Sequence, residues 1–146
     1  VYMVVDMLKN VVAEGTARRV RWMGFDRPCA GKTGTTNDSR DLWFVGFTPQ
    51  LVTAIWVGYD EIKPIIDKNN RPISSGRGPV PIWVYFMSKA LQNESYRDFT
   101  IPQGIQFVYV DPKSGEIVAK DFDGAQQVAI KIGTELPVKD EFVNER

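Results

Sequence analysis

Apolar residues recur at Val4, Met7, Leu8, Val11 and Val12, with mostly polar or small residues between them. That three-four spacing puts the apolar side chains on one side of a helix, so a helix with one broad buried face is predicted over 2–14. Gly15 follows where a C-terminal cap would stop it. From 16 to 28 no period holds. This stretch reads as an irregular connection ending at Pro28, with Trp22, Met23 and Phe25 pinning it to the core. The pattern then changes: 29–35 reads as a strand, and 42–48 and 51–59 are rich in β-branched and aromatic residues. A polar turn at 37–40 and the tight Thr48-Pro49-Gln50 connection separate the three, which predicts successive antiparallel strands joined by hairpins.

Residues 61–81 carry several Pro, Gly and charged positions and read as a loop. Helical spacing returns over 82–91, with Pro81 in a first turn that tolerates it, and 91–102 is a connector. The remainder is strand-rich. Residues 107–110 and 117–119 flank Asp111-Pro112-Lys113-Ser114-Gly115, whose Asp, Pro and Gly are turn formers, and 128–132 adds a third short strand. Beyond Gly133 the chain turns polar and is expected to fray. The fold class is therefore α+β: an antiparallel sheet flanked by helices, with a small strand-rich C-terminal tail. Two parts are expected, 1–102 and an extension over 103–146.

Composition narrows the chemistry. Apolar residues at 43% and charged residues at 25% fit a globular domain. Lys plus Arg equal Asp plus Glu at 18 each, so no basic surplus points to nucleic acid. Arg18, Arg19 and Arg21 read as a solvated helix end, with an anion site as the alternative. There is no histidine, which excludes a Ser-His-Asp triad and the common histidine zinc sites within this chain. The single cysteine, Cys29, excludes an internal disulfide and reads as a small buried hydrophobe rather than a reactive thiol. No apolar run reaches membrane-spanning length. Val1 opens inside the predicted helix, so the start reads as a cut end.

The candidate chemistry lies in Ala30-Gly31-Lys32-Thr33-Gly34-Thr35-Thr36. A phosphate-binding loop requires glycine five residues before its Gly-Lys pair, where Asp26 stands here, and must open a helix rather than lead to a turn and a strand. On a strand edge the same residues suit an anionic peptide. The edge accepts an extended chain as a further strand, and Gly34 lets it approach the backbone. The hydroxyls of Thr33 and Thr35 can hold a terminal carboxylate. The Thr35 N–H can serve as an oxyanion donor, and Lys32 supplies a positive field that assists proton movement. Lys32 and Thr35 are the candidate catalytic residues; Thr33, Gly34 and Thr35 are the candidate substrate-binding residues. No metal or cofactor is implied.

The longer run Ala30–Asp38, with Arg40-Asp41, Trp43–Pro49, Trp56–Asp60 and Pro81-Ile82-Trp83 ahead of Phe86-Met87, resembles class A penicillin-binding proteins over roughly residues 2 to 102. The resemblance implies a β-lactamase/transpeptidase-like fold, here a partial domain from the C-terminal part of a DD-transpeptidase. It implies Lys32 as the lysine of the Lys-Thr-Gly motif, whose companions are Ser-x-x-Lys and a Ser-x-Asn-type triplet. Ser39, Ser74, Ser75, Ser88, Ser95 and Ser114 all lack lysine three residues on, and no Ser-x-Asn occurs. This chain alone is thus expected to be inactive. The implied partners are an N-terminal part of the same domain carrying the nucleophilic serine, a peptidoglycan stem peptide ending in D-Ala-D-Ala, and β-lactams. Nucleic acid is not among them, and this chain carries no membrane segment. The implied location is the periplasmic, extracytoplasmic face of a bacterial inner membrane. Two other readings are a non-catalytic carboxylate-binding module of the same fold and a fragment of a serine β-lactamase. Asp38 and Asp41 are expected to fix the turn and pair with Arg40, and Trp43, Trp56 and Trp83 to anchor the core.

Overall fold

The computed structural model describes residues 1–139, in an α+β arrangement with two antiparallel sheets. Two compact units emerge from its internal contacts: Leu8–Phe99, and Val1–Met7 together with the chain from Thr100 onward. The division falls inside the first helix, α1 (Tyr2–Ala13).

In the first unit, the end of α1 leads through a short helix, α2 (Arg19–Trp22), to strand β1 (Ala30–Thr35). Strands β2 (Asp41–Phe47) and β3 (Val52–Gly58) complete a sheet of order β1-β2-β3 with both pairings antiparallel. The β2–β3 turn is held by Thr48, whose N–H donates to Leu51 O while its hydroxyl accepts the Gln50 and Leu51 N–H groups. Helix α3 (Pro79–Ala90) packs across β2 and β3. It begins earlier than its hydrophobic spacing predicts. Pro79 and Pro81 both fall in the first turn, where N–H groups have no partner inside the helix, so neither proline breaks it.

Trp83 of α3 is the centre of the core. It is fully buried, its Nε1–H donates to Gly46 O at 3.1 Å, and Phe25 and Phe44 stand edge-on to it at 5.2 and 5.3 Å. Cys29, Val12, Val20, Val80, Met87 and Leu91 complete the cluster. Strand β2 alternates strictly, burying Leu42, Phe44 and Gly46 and exposing Trp43 and Val45.

Several expectations change here. Residues 16–28 are not wholly irregular, since Arg19–Trp22 forms one helical turn. Of Trp22, Met23 and Phe25 only Phe25 is a core anchor, beside the buried Ala17 and Val20. Trp22 is 72% exposed and lies under the Arg18 guanidinium at 4.8 Å, and Met23 also faces outward. The broad apolar face of α1 is only partly covered: Val12 is buried, whereas Val4 and Met7 are exposed. Gly15 does not take the left-handed conformation of a glycine cap. It is there for closeness, because a Cβ at this position would stand 2.8 Å from the Val11 Cα. Trp43 and Trp56 face each other across β2 and β3 but remain exposed, so of the three indoles only Trp83 is a core anchor.

In the second unit β4 (Ile105–Val110) pairs antiparallel with β5 (Gln126–Lys131). The predicted strand at 117–119 is not one. Ile117 makes only isolated bridges to Val110 and Val138, so the true hairpin partner of β4 lies further along the chain. Asp111 organises the intervening turn: its Oδ1 accepts the Lys113 N–H at 2.9 Å, its carbonyl accepts the Gly115 N–H at 2.8 Å, and Lys139 pairs with its carboxylate at 3.3 Å. Those bonds to Lys113 and Lys139 hold its carboxyl below the usual carboxylate range. Within the same unit Tyr2 meets Phe107 edge-on, and Asp6 accepts the Ala129 N–H. The segment predicted to fray is described as far as residue 139; its remainder, 140–146, lies outside the described residues.

Candidate functional site

Strand β1 pairs with β2 on one side and with no other strand of its sheet among the described residues. The Thr36 N–H bonds to Asp41 O across the ladder. In an antiparallel pair the residues alternate in direction, so the backbone groups of Gly34 point toward β2 and those of Thr33 and Thr35 point to the open side. Accordingly Thr33 O accepts a bond from outside the ladder, the Lys32 ammonium at 2.8 Å.

The side chains of Thr33 and Thr35 share the other alternation of the strand, away from Lys32 and Gly34. Both line one open cavity of about 500 Å³, with Thr16, Arg18, Ser74 and Ser75 among its other walls. The cavity is built by two returns of the chain. After α1 the peptide turns at Gly15, which places Thr16 Oγ1 at 2.6 Å from Thr33 Oγ1. After β3 the loop comes back beneath β1, fixed by Ile65 N–H on Ser39 O and Ile73 N–H on Ile65 O. Its last residues fold into the lead of α3, where Ser75 O accepts the Val80 N–H. Ser75 is 2% exposed; its hydroxyl donates to Gly34 O at 2.6 Å and lies 2.6 Å from Thr35 Oγ1. Gly76 must be small here, because a Cβ would stand 2.9 Å from Thr16 O.

The structure therefore brings Thr33 and Thr35 together at one cavity and leaves Lys32 outside its lining, exposed on the opposite alternation of the strand. Gly34 differs from the other glycine of the motif. A Cβ at Gly31 would strike the Phe44 ring and Val45 O at 2.8 Å, a packing requirement, whereas one at Gly34 would meet only the Trp43 Cβ at an ordinary 3.4 Å. Thr16, Ser74 and Ser75 were missed by sequence reasoning. Ser75 was read only as a serine lacking a lysine three residues on, and no local pattern places it under a strand forty residues earlier.

Around the motif, Arg40 pairs with Asp38 at 2.9 Å in a turn where Asp38 and Ser39 have φ of 60° and 52°. Asp41 does not join that pair. It accepts the Trp56 indole N–H at 3.0 Å, and its own N–H donates to Thr36 Oγ1 at 2.8 Å, pinning the exit of β1 to β3. Cys29 is fully buried, and burial pushes its thiol up to about 11. Arg21 spends its guanidinium on the carbonyls of Phe25 and Arg27, which fastens the connection into β1 and leaves no cationic cluster of three for an anion. Among the described residues no group of acidic, cysteine or histidine side chains is placed to hold a metal ion.

Comparison with known proteins gives a consistent picture. No protein-family model matches the chain. It is 43% identical over 131 residues to penicillin-binding protein 1A of Aquifex aeolicus (strain VF5), covering 90% of this chain and 17% of that protein. To penicillin-binding protein 1A of Pseudomonas aeruginosa it is 37% identical over 125 residues, covering 85% of this chain and 14% of the relative. Among solved structures, penicillin-binding protein 1A from Haemophilus influenzae matches with a TM-score of 0.74 at 26% identity, over 93% of this chain and 20% of that one. The penicillin-binding protein PonA1 from Mycobacterium tuberculosis matches with a TM-score of 0.60 at 32% identity, over 68% of this chain and 27% of that one. The chain thus spans about a sixth of the curated relatives' length.

Proposed function

This chain belongs to the penicillin-binding protein 1A family, as a segment of the longer proteins it matches, and we propose that it supplies the carboxylate-binding edge strand of a serine DD-transpeptidase. The single observation that carries the reading is the joint placement of the Thr33 and Thr35 hydroxyls at one polar cavity beside a free strand edge. It is supported by a relative whose structure is described as a complex with penicillin V, matched at a TM-score of 0.58 and 30% identity.

In this reading an extended stem peptide adds to the open side of β1. Thr33 and Thr35 donate to its terminal carboxylate, and the outward Thr35 N–H faces the carbonyl oxygen that becomes an oxyanion. A serine on another part of the domain attacks that carbonyl. The terminal D-alanine leaves as an amine, and an acceptor amine resolves the acyl-enzyme into a cross-link. A β-lactam acylates the same serine. Lys32 contributes its charge at the open edge after giving up its bond to Thr33 O. Residues 1–102 are assigned to the transpeptidase domain and 103–146 to an extension. The parent protein acts at the extracytoplasmic face of the inner membrane, and its membrane anchor belongs to other segments. No helix of the described residues is long and apolar enough to cross a membrane.

The test is to label the full-length protein with a fluorescent penicillin, denature it, digest it and identify the labelled peptide. Label is expected on a serine outside these 146 residues. The Thr35→Val variant should be acylated about 10- to 100-fold more slowly, the worth of a hydrogen bond to a charged group. An unlabelled full-length protein would indicate a non-catalytic module, and label lost within seconds a β-lactamase.

A further inference from the structure

We infer that Ser75 is a positioning residue that sets whether Thr35 can donate to an incoming carboxylate. The inference rests on the carboxylate-binding reading of Thr35 given above and goes beyond it to a residue on a different element.

The argument is a count of protons. A serine hydroxyl has one proton and two lone pairs. Ser75 Oγ lies 2.6 Å from both Gly34 O and Thr35 Oγ1, and Ser75 is buried, so no water competes for it. When Ser75 gives its proton to Gly34 O, the short contact to Thr35 is satisfied only if Thr35 donates to Ser75. Thr35 then offers nothing but lone pairs to the cavity and repels an anion. When Ser75 turns its proton to Thr35 Oγ1, the Thr35 proton is released toward the cavity and becomes a donor for a carboxylate. The first arrangement suits the empty site and the second the occupied one.

The exchange carries a small penalty, for a reason set by sheet register. Gly34 stands opposite Trp43, two residues along from the Thr36–Asp41 hydrogen-bonded pair, so its carbonyl also faces a ladder donor. Withdrawing the Ser75 proton leaves that carbonyl with a partner rather than orphaned. Thr33 has no such buried control, since its contact is with the exposed hydroxyl of Thr16. Ser75 is held rigidly enough for the task, because its own carbonyl is fixed by Val80 at the start of α3.

The experiment uses the full-length protein and two ligands, benzylpenicillin with its free carboxylate and the neutral benzylpenicillin methyl ester. Acylation rates for both are measured by competition with a fluorescent penicillin, in the parent protein, Thr35→Val, Ser75→Ala and the double variant. If Ser75 acts through Thr35 as the donor that turns the Thr35 proton toward the cavity, Ser75→Ala leaves that hydroxyl unoriented and slows acylation by the acid on the order of tenfold. The ester rate then stays within twofold, and the double variant is no slower than Thr35→Val. An acid rate unchanged or raised in Ser75→Ala overturns the inference. A selective loss in Thr35→Val with none in Ser75→Ala overturns the Ser75 inference and leaves the carboxylate reading standing. No selective loss in Thr35→Val overturns the carboxylate reading itself. Equal slowing of acid and ester by Ser75→Ala assigns Ser75 a merely structural role and also overturns the inference. Should Ser75→Ala not fold, Ser75→Cys puts a bulkier and weaker donor in the same place, and the same acid-to-ester ratio decides.

Discussion

Cys29 shows how a residue's neighbours decide its chemistry. It stands three positions ahead of Lys32, close enough to invite a role as a reactive thiol, yet it is sealed beneath the sheet with its thiol pushed up to about 11 by burial. A thiol reacts through its thiolate, so below about pH 9 Cys29 should resist a thiol reagent in the folded chain. Reaction should become fast in denaturant; following disulfide-reagent colour with and without guanidinium checks it, and rapid labelling of the native chain would contradict the packing. The sequence read Cys29 correctly because a lone cysteine in an apolar approach has few alternatives. It read Trp22, Trp43 and Trp56 wrongly for the converse reason: an indole suits both core and surface, and composition alone does not say which.

Within single elements, β1 carries two glycines whose roles the sequence could not separate. Gly31→Ala forces a methyl against Phe44 and Val45 O and should cost about 1–3 kcal/mol by thermal unfolding. Gly34→Ala meets only ordinary contact inside the chain, so its melting temperature should change little while penicillin acylation of the full-length protein falls. A result with the two reversed would mean that Gly34 is there for packing. In the tail, the Asp111 turn has a pH dependence of definite sign. Its carboxyl is held below the usual range by Lys113 and Lys139, so its contribution is complete at neutral pH and is lost as pH falls through the folded value, below about pH 4. Hydrogen exchange of the Lys113 and Gly115 amides should accelerate over that window, corrected for intrinsic rates, and Asp111→Asn should remove most of the change. The same element shows a limit of periodicity. Residues 117–119 have a strand's composition, but β4 pairs with β5, because ladder partners are chosen by register and packing rather than by proximity in sequence.

For the whole molecule, the proposed division of labour predicts that the isolated 146-residue chain takes no fluorescent penicillin while the full-length protein does, read on one denaturing gel. Label on the isolated chain would place a nucleophile among serines that lack the Ser-x-x-Lys context. The first helix, the three antiparallel strands, the motif on an edge strand, the later helix and the family were legible in the chain, whereas the helical turn at 19–22 and the true partner of β4 were not. The legible features depend on local periodicity, on tight turns and on a run of residues whose chemistry is shared with relatives. What the sequence left open were contacts between segments far apart along it. Thr16 under Thr33, Ser75 under Gly34 and Thr35, and Asp41 on Trp56 rather than Arg40 all depend on where a loop returns. A helix face can be apolar by spacing and still remain exposed, as Val4 and Met7 do. Sequence by itself determined which residues this chain has available for holding a carboxylate, because side-chain type and strand alternation are local properties. Only the tertiary structure decided that Thr33 and Thr35 share a cavity without Lys32 and that a buried serine stands behind one of them, because hydrogen-bond partners are set by closure of the chain in space.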